Sequence, residues 1–226
     1  MIGVVTGAGR GIGRAIAIQL AQRGLDVAVL ARTQSEISET AALVEKTGRR
    51  ALAVTCDVAR ADDVARAAER IAKDLGAPSV AIANAGIVRR ALVTETSEAD
   101  WDAVVDVNLK GVFLAARAFV PAMRAAGAGR FVAIGSISST LGTARQSAYC
   151  AAKWGVVGFV KSLAEELRGT GVQAMTVLPG SVDTAMLSGS GFVPQMSAND
   201  VAKVVAYAAL DAPDAMNGSA IEMFGP

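Results

Sequence analysis

The chain has 226 residues, 52% hydrophobic and only 4% aromatic, with a net charge of +1 and no histidine. Scattered Lys and Arg at near-neutral charge argue against a nucleic-acid surface. The two cysteines, Cys56 and Cys150, make no disulfide framework, and without histidine no zinc cluster is expected. The length suits one α/β domain over residues 1–226. The N-terminus enters a strand pattern at once, which leaves no room for a signal peptide. No apolar run reaches the ~18 residues of a membrane helix. The expectation is a cytoplasmic protein with no membrane and no metal partner.

Strand-like apolar runs alternate with helical patterns along the whole chain. The strands are expected at Ile2–Thr6, Asp26–Ala31, Ala51–Cys56, Ser79–Ala83, Arg130–Gly135, Val172–Leu178 and Ala220–Phe224. The helices are expected at Ile12–Arg23, Ser35–Lys46, Ala61–Leu75, Ser97–Ala126, Ala148–Arg168 and Ala198–Leu210. Short, continuous apolar strands are those covered on both faces. Strict alternation implies right-handed crossovers and a doubly wound parallel sheet of about seven strands in an α/β/α sandwich, a Rossmann-type fold. Ligands then bind beyond the carboxyl ends of the strands.

Candidate residues follow nearly every strand. After the first comes Thr6-Gly7-Ala-Gly9-Arg10-Gly11-Ile12-Gly13. Ile12 breaks the Gly-x-Gly-x-x-Gly fingerprint, but the loop still lets the backbone approach a pyrophosphate at a helix N-terminus. After the second strand, Arg32 stands where an NAD-binding chain offers an acid to the ribose. Arg32 and Arg10 suit a 2′-phosphate, which points to NADP(H). After the third, Asp57 and Val58 face an adenine, or Asp57 caps the next helix. Asn84-Ala85-Gly86 follows the fourth strand and suits close passage along a ribose, with Asn84 bracing neighbouring strands. Asn108 is a poor interior helix residue, and a break there frees a carbonyl for a water or for Lys153. After the sixth strand, Pro179-Gly180 predicts a sharp turn that grips a nicotinamide carboxamide, with Val182 and Thr184 beyond it. Leu187–Pro194 has the composition of a substrate lid. The alternative is a plain connecting loop.

Of the two tyrosines, Tyr207 lies in an apolar helical run and reads as packing. Tyr149 opens a helix, and Lys153 shares its face four residues on. A neighbouring ammonium favours the phenolate and lowers the phenol pKa. Ser136, thirteen residues before Tyr149, is placed to hydrogen-bond a carbonyl oxygen.

Together these motifs resemble the single-domain short-chain dehydrogenase/reductase family over essentially the whole chain. The family's glycine loop matches Thr6–Gly13, its Asn-Ala-Gly motif matches Asn84–Gly86, and its catalytic four match Asn108, Ser136, Tyr149 and Lys153. Ala83 stands where a first Asn is common. The resemblance implies hydride transfer between NADP(H) and a small-molecule carbonyl or hydroxyl substrate, with Tyr149 as general acid. Lys153 then also holds the nicotinamide ribose. Within the family the chain looks most like bacterial 3-oxoacyl-[acyl-carrier-protein] reductases. An acyl carrier protein partner would use Arg124 and Arg130, with Thr170 standing where a second basic docking residue is expected. Such proteins are homotetramers or homodimers, and Gly111, Ala115, Ala118, Gly155, Gly158 and Phe159 suit close helix packing across a dyad. A non-catalytic NADP(H) sensor or scaffold is the alternative.

Overall fold

The computed structural model describes residues 1–226. One sheet holds seven strands: β1 (Ile2–Thr6), β2 (Asp26–Ala31), β3 (Ala51–Thr55), β4 (Val80–Ala83), β5 (Gly129–Ile134), β6 (Val172–Pro179) and β7 (Ala220–Met223). Every neighbouring pair is parallel, in the order β3-β2-β1-β4-β5-β6-β7. The helices are α1 (Gly11–Gln22), α2 (Gln34–Glu45), α3 (Ala61–Asp74), α4 (Glu98–Val105), α5 (Gly111–Ala126), α6 (Ser147–Glu166) and α7 (Ala198–Leu210).

The strands are apolar without alternation because both faces of the sheet are covered. Successive residues of a strand point to opposite faces, and here both find a core. Val5, Val29, Ile82 and Val132 lie under α1, α2 and α7 with Ile16, Leu20, Ile37 and Val205. Val4, Ala28, Ala81 and Phe131 lie under α3, α5 and α6 with Ile71, Phe119 and Val160. Element ends differ from the sequence reading by one or two residues, where caps rather than hydrophobic period decide.

Three differences are larger. The helix expected at Ser97–Ala126 is α4 and α5 joined by a π-turn over Asp106–Lys110, which carries Asn108. Ser97 caps α4 by accepting the Asp100 amide. Pro179-Gly180 is no sharp turn: Pro179 is the last residue of β6, and the Gly180 amide still donates to Met223 O in β7 at 2.8 Å. Tyr207 is half exposed rather than packed, its hydroxyl directed to Met216 Sδ.

Reversal of order at β1 sets the site. Chains leave β1 and β4 toward opposite faces, which opens a crevice between their carboxyl ends. Far from it, β6 is entered through Gly169 and Gly171, both at positive φ. A methyl at Gly171 would run into the carbonyl of Gly127, whereas one at Gly169 meets nothing. Gly169→Ala should therefore lower stability by about 1–2 kcal/mol of backbone strain. Gly171→Ala should exceed that clearly, by about 3 kcal/mol or more, because a backbone must also move. Denaturant midpoints of the two variants measure the difference; equal losses would contradict the packing at β6.

Candidate active site

The crevice widens into a cleft of about 910 Å³. Every residue singled out above as a candidate for chemistry or cofactor binding lines it: the Gly7–Gly13 loop, Arg32, Asp57, Val58, Asn84–Gly86, Asn108, Ser136, Tyr149, Lys153, Pro179, Gly180, Val182 and Thr184.

The glycine loop is built against its neighbours. Gly7 and Gly11 have positive φ. A side chain on Gly13 would collide with the Gly7 carbonyl and the Asn84 amide. Asn84 staples the loop to β4: its Nδ2 donates to Thr6 O at 2.9 Å and Gly7 O at 3.2 Å. Thr6 Oγ1 accepts from the backbone amides of Asn84 and Ala85. Bracing by Asn84 is thus as expected. Arg14 adds a tie that the sequence did not reveal, donating to Gly9 O and, through both terminal nitrogens at 2.8 Å, to the Glu39 carboxylate of α2. Helix α1 starts at Gly11 with no side-chain cap and no acid in its first turn. Its free amides and dipole face the cleft as an anion site.

Asp57 does not cap α3, whose N-cap is Arg60. Its Oδ1 accepts from the Ala59 amide in a local turn, and its own amide donates to Asp63. The second basic position behaves differently from the first. Arg32 is exposed and forms no ion pair, whereas Arg10 Nη1 lies 3.7 Å from Glu36 Oε1. Glu36 also lines the cleft and was not found from the sequence.

Asn108 is fully buried, held by bonds from Nδ2 to Val104 O and Ile87 O, each 2.8 Å. Its own Oδ1 is left without a donor, a second free oxygen at the helix break besides the carbonyl expected there. Gly86 lets this oxygen approach: a Cβ there would sit 2.8 Å from Asn108 Oδ1 and 3.8 Å from Lys153 Nζ. Ser136 follows β5 and caps a short 3₁₀ turn, its Oγ accepting the Ser138 amide at 3.1 Å. Its hydroxyl proton points to the Tyr149 oxygen rather than to a backbone group.

Lys153 is buried on α6 with Nζ donating to Ile134 O at 2.7 Å and lying 5.7 Å from the Tyr149 ring centroid. Burial pushes its pKa down to about 8. Burial also pushes the Tyr149 phenol up, and a Ser136 hydrogen bond draws it partly back. The sequence expectation was the reverse, a phenol lowered by Lys153. It fails because the shared helical face also removes both groups from water, and the amine bonds a carbonyl instead of the phenol.

The substrate end holds a residue the motifs did not indicate. Arg90 donates from Nη2 to Met186 O at 2.8 Å and from Nη1 to Ser188 O at 3.3 Å, tying the segment after β6 across the cleft. Leu187, Ser188, Ser190 and Phe192 of the expected lid line the cleft there. No local pattern marks Arg90, because its partners lie almost a hundred residues away. Arg130, expected as a carrier-docking residue, donates to Ala212 O and pairs with Asp214 at the amino end of β5. Gly111 and Ala115 pack inward, and Gly155 packs on Leu109. The exposed residues of α5 and α6 include Phe113, Arg117, Trp154 and Gly158.

A parallel sheet, a glycine loop at its switch point and a Ser–Tyr–Lys cluster in the same cleft define a Rossmann-type oxidoreductase. Residues 2–191 match the family model described as short chain dehydrogenase, and the chain belongs to that family. It is 35% identical over 237 residues to the 3-oxoacyl-[acyl-carrier-protein] reductase FabG of Staphylococcus aureus, covering 98% of this chain and 96% of the relative. Carveol dehydrogenase from Mycobacterium avium in complex with NAD superposes with TM-score 0.93 at 25% identity, covering 98% and 95% of the two chains. A 3-ketoacyl-ACP reductase from Sinorhizobium meliloti superposes with TM-score 0.93 at 28% identity, covering 99% and 97%. No helix is long and apolar enough to cross a membrane. A nicotinamide dinucleotide, which the family implies, fits the glycine cradle that side chains would fill and the uncapped start of α1.

The depressed Lys153 pKa has a consequence for stability. Between about 8 and 10.5 the folded protein holds one proton fewer than the unfolded chain. Stability therefore rises with pH through that window, and below it the buried ammonium costs on the order of 3 kcal/mol. Lys153→Met should be more stable than the parent at pH ~7, by about 1–2 kcal/mol after loss of the Ile134 bond. It should also lose the rise toward pH ~9.5. Urea midpoints at the two pH values test this, and an unchanged slope would refute it.

Proposed function

We propose that this oxidoreductase is an NADP(H)-dependent carbonyl reductase and alcohol dehydrogenase, with a 3-oxoacyl thioester as the leading substrate class. The observation that carries the reading is the convergence of Ser136, Tyr149, Lys153 and Asn108 on one cleft with the glycine loop. The names of the 3-oxoacyl-[acyl-carrier-protein] reductases among its relatives support the substrate class.

NADP(H), when bound, supplies or accepts the hydride at the carbonyl carbon. Gly7–Gly13 and the start of α1 hold its pyrophosphate, and Arg10 and Arg32 its 2′-phosphate. Asp57 and Val58 flank the adenine, and Asn84–Gly86 pass the ribose. Lys153 holds the nicotinamide ribose, while Pro179, Gly180, Val182 and Thr184 hold the carboxamide. Ser136, whose hydroxyl proton otherwise goes to the Tyr149 oxygen, donates it to the substrate oxygen as negative charge develops there. Tyr149 is kept protonated by burial and acts as general acid. Once it has given its proton up, the phenolate is a buried anion, and protonated Lys153 one helical turn away compensates it. The lysine pKa of about 8 lets it take and return a proton near neutral pH. Asn108 Oδ1, unpartnered beside Gly86 and Lys153, orders a water that returns the proton.

Tyr149→Phe should reduce turnover of an acetoacetyl thioester by about 10²-fold or more, the share of a general acid. NADPH affinity should stay within about threefold, since uniform binding is untouched. NADPH oxidation followed by absorbance, with dinucleotide binding measured separately, gives both values. Near-normal reduction by the variant would sink the assignment. The same reading extends to a homotetramer or homodimer. Phe113 and Trp154 are 42% and 54% exposed on one face, with Arg117 stacked 5.4 Å from the Phe113 ring centroid. Light scattering should give a multimer for the parent and a smaller species for Trp154→Glu; a monomeric parent would overturn it.

A further inference from the structure

The position after β2 lacks the acid that reads an unphosphorylated ribose, and Arg32 stands in its place. The fold supplies an acid at the same spot from another element. Glu36 lies in the first turn of α2, and its side chain turns back onto the glycine loop. A Cβ on Gly9 would sit 2.9 Å from Glu36 Oε2 and 3.6 Å from the Ala31 methyl at the end of β2. The carboxylate thus lies against the pyrophosphate loop beside Gly9, which also borders the carboxyl end of β2, and lines the cleft.

The ordinary reason for a glutamate there would be helix capping. Thr33-Gln34-Ser35-Glu36 has the Thr-x-x-Glu spacing of a capping box, in which the glutamate returns to the cap residue's amide. That reciprocal arrangement is not made: Thr33 contributes no side-chain cap bond, and Glu36 pairs with Arg10 instead. Arg10 is the more exposed partner, at 73% against 33% for Glu36. The arginine therefore moves more freely than the acid.

We propose that Glu36 is a cofactor-selecting residue that takes the part of the missing acid, so that the chain accepts NAD(H) as well as NADP(H). This rests on the dinucleotide reading of the cleft. Two opposed groups then meet at one ribose. Glu36 accepts a hydrogen bond from an unphosphorylated 2′-hydroxyl. A 2′-phosphate instead meets the repulsion of Glu36 and has to draw Arg10 away from it, with Arg32 as the unpaired cation.

The test is binding of NAD⁺ and NADP⁺ to the full chain without substrate, by calorimetry. In Glu36→Gln, NADP⁺ should tighten about tenfold and NAD⁺ weaken about tenfold, the scale of one charge-assisted hydrogen bond. In Arg32→Ala, NADP⁺ should weaken by about tenfold with NAD⁺ within about twofold. Opposite signs in Glu36→Gln are what a structural role of Glu36 would not produce. Glu36→Asp should keep part of the NAD⁺ affinity. Equal shifts of both dinucleotides, no shift, or failure of the parent to bind NAD⁺ would overturn the proposal while leaving NADP(H) chemistry standing. Failure of the parent to bind either dinucleotide would remove both readings.

Discussion

The hydrogen bonds of Asn84 across the switch point hold the cleft open in one shape. Strands β1 and β4 are neighbours, yet their chains depart toward opposite faces, so the backbone between them has no regular partner. Asn84 donates its side-chain amide to Thr6 O and Gly7 O, and the Thr6 hydroxyl oxygen accepts from the backbone amides of Asn84 and Ala85. Buried backbone groups left without partners are costly, and this exchange satisfies them where the ladder ends. Gly13 must be glycine for the same reason, since any side chain would strike the staple. The loop, α1 and the Asn84–Gly86 segment are thereby one rigid edge, and Asn108 and Lys153 are positioned against it through Gly86.

The chemistry of the cleft depends on charges kept away from water. Lys153 is buried with a carbonyl and no carboxylate, and Tyr149 is buried beside it. Burial raises the phenol and lowers the amine, so both drift toward their neutral forms. A group so placed weakens the fold and strengthens the chemistry, because it answers strongly when a charge appears nearby. The two apolar faces of β5 make that placement affordable: its Phe131 and Val132 are fully buried under opposite helix layers.

Much of the site was legible because its parts follow a rule of topology. In a parallel sheet the residues just after each strand collect at one edge. Finding seven apolar runs was therefore enough to gather the glycine loop, Asn84, Ser136 and Pro179. Tyr149 and Lys153 were legible from helical spacing alone. What escaped was carried by contacts distant in sequence. Arg14 reaches Glu39, Arg90 reaches Met186 and Ser188, and Glu36 reaches back to Gly9 and Arg10. Such pairs leave no period or motif behind. Where local rules were applied to local chemistry they also misjudged: a turn at Pro179-Gly180 and a lysine lowering a phenol.

The sequence by itself determined the sheet, its parallel winding and the edge at which function gathers, because hydrophobic period and strand-helix alternation are local and the topology rule does the rest. Only the tertiary structure decided the electrostatics of that edge. Burial lowers Lys153 and raises Tyr149, the π-turn leaves the Asn108 amide oxygen without a donor, and α2 brings Glu36 to Arg10. Charge, desolvation and the choice of partner depend on which groups meet through space, and distance along the chain does not give that.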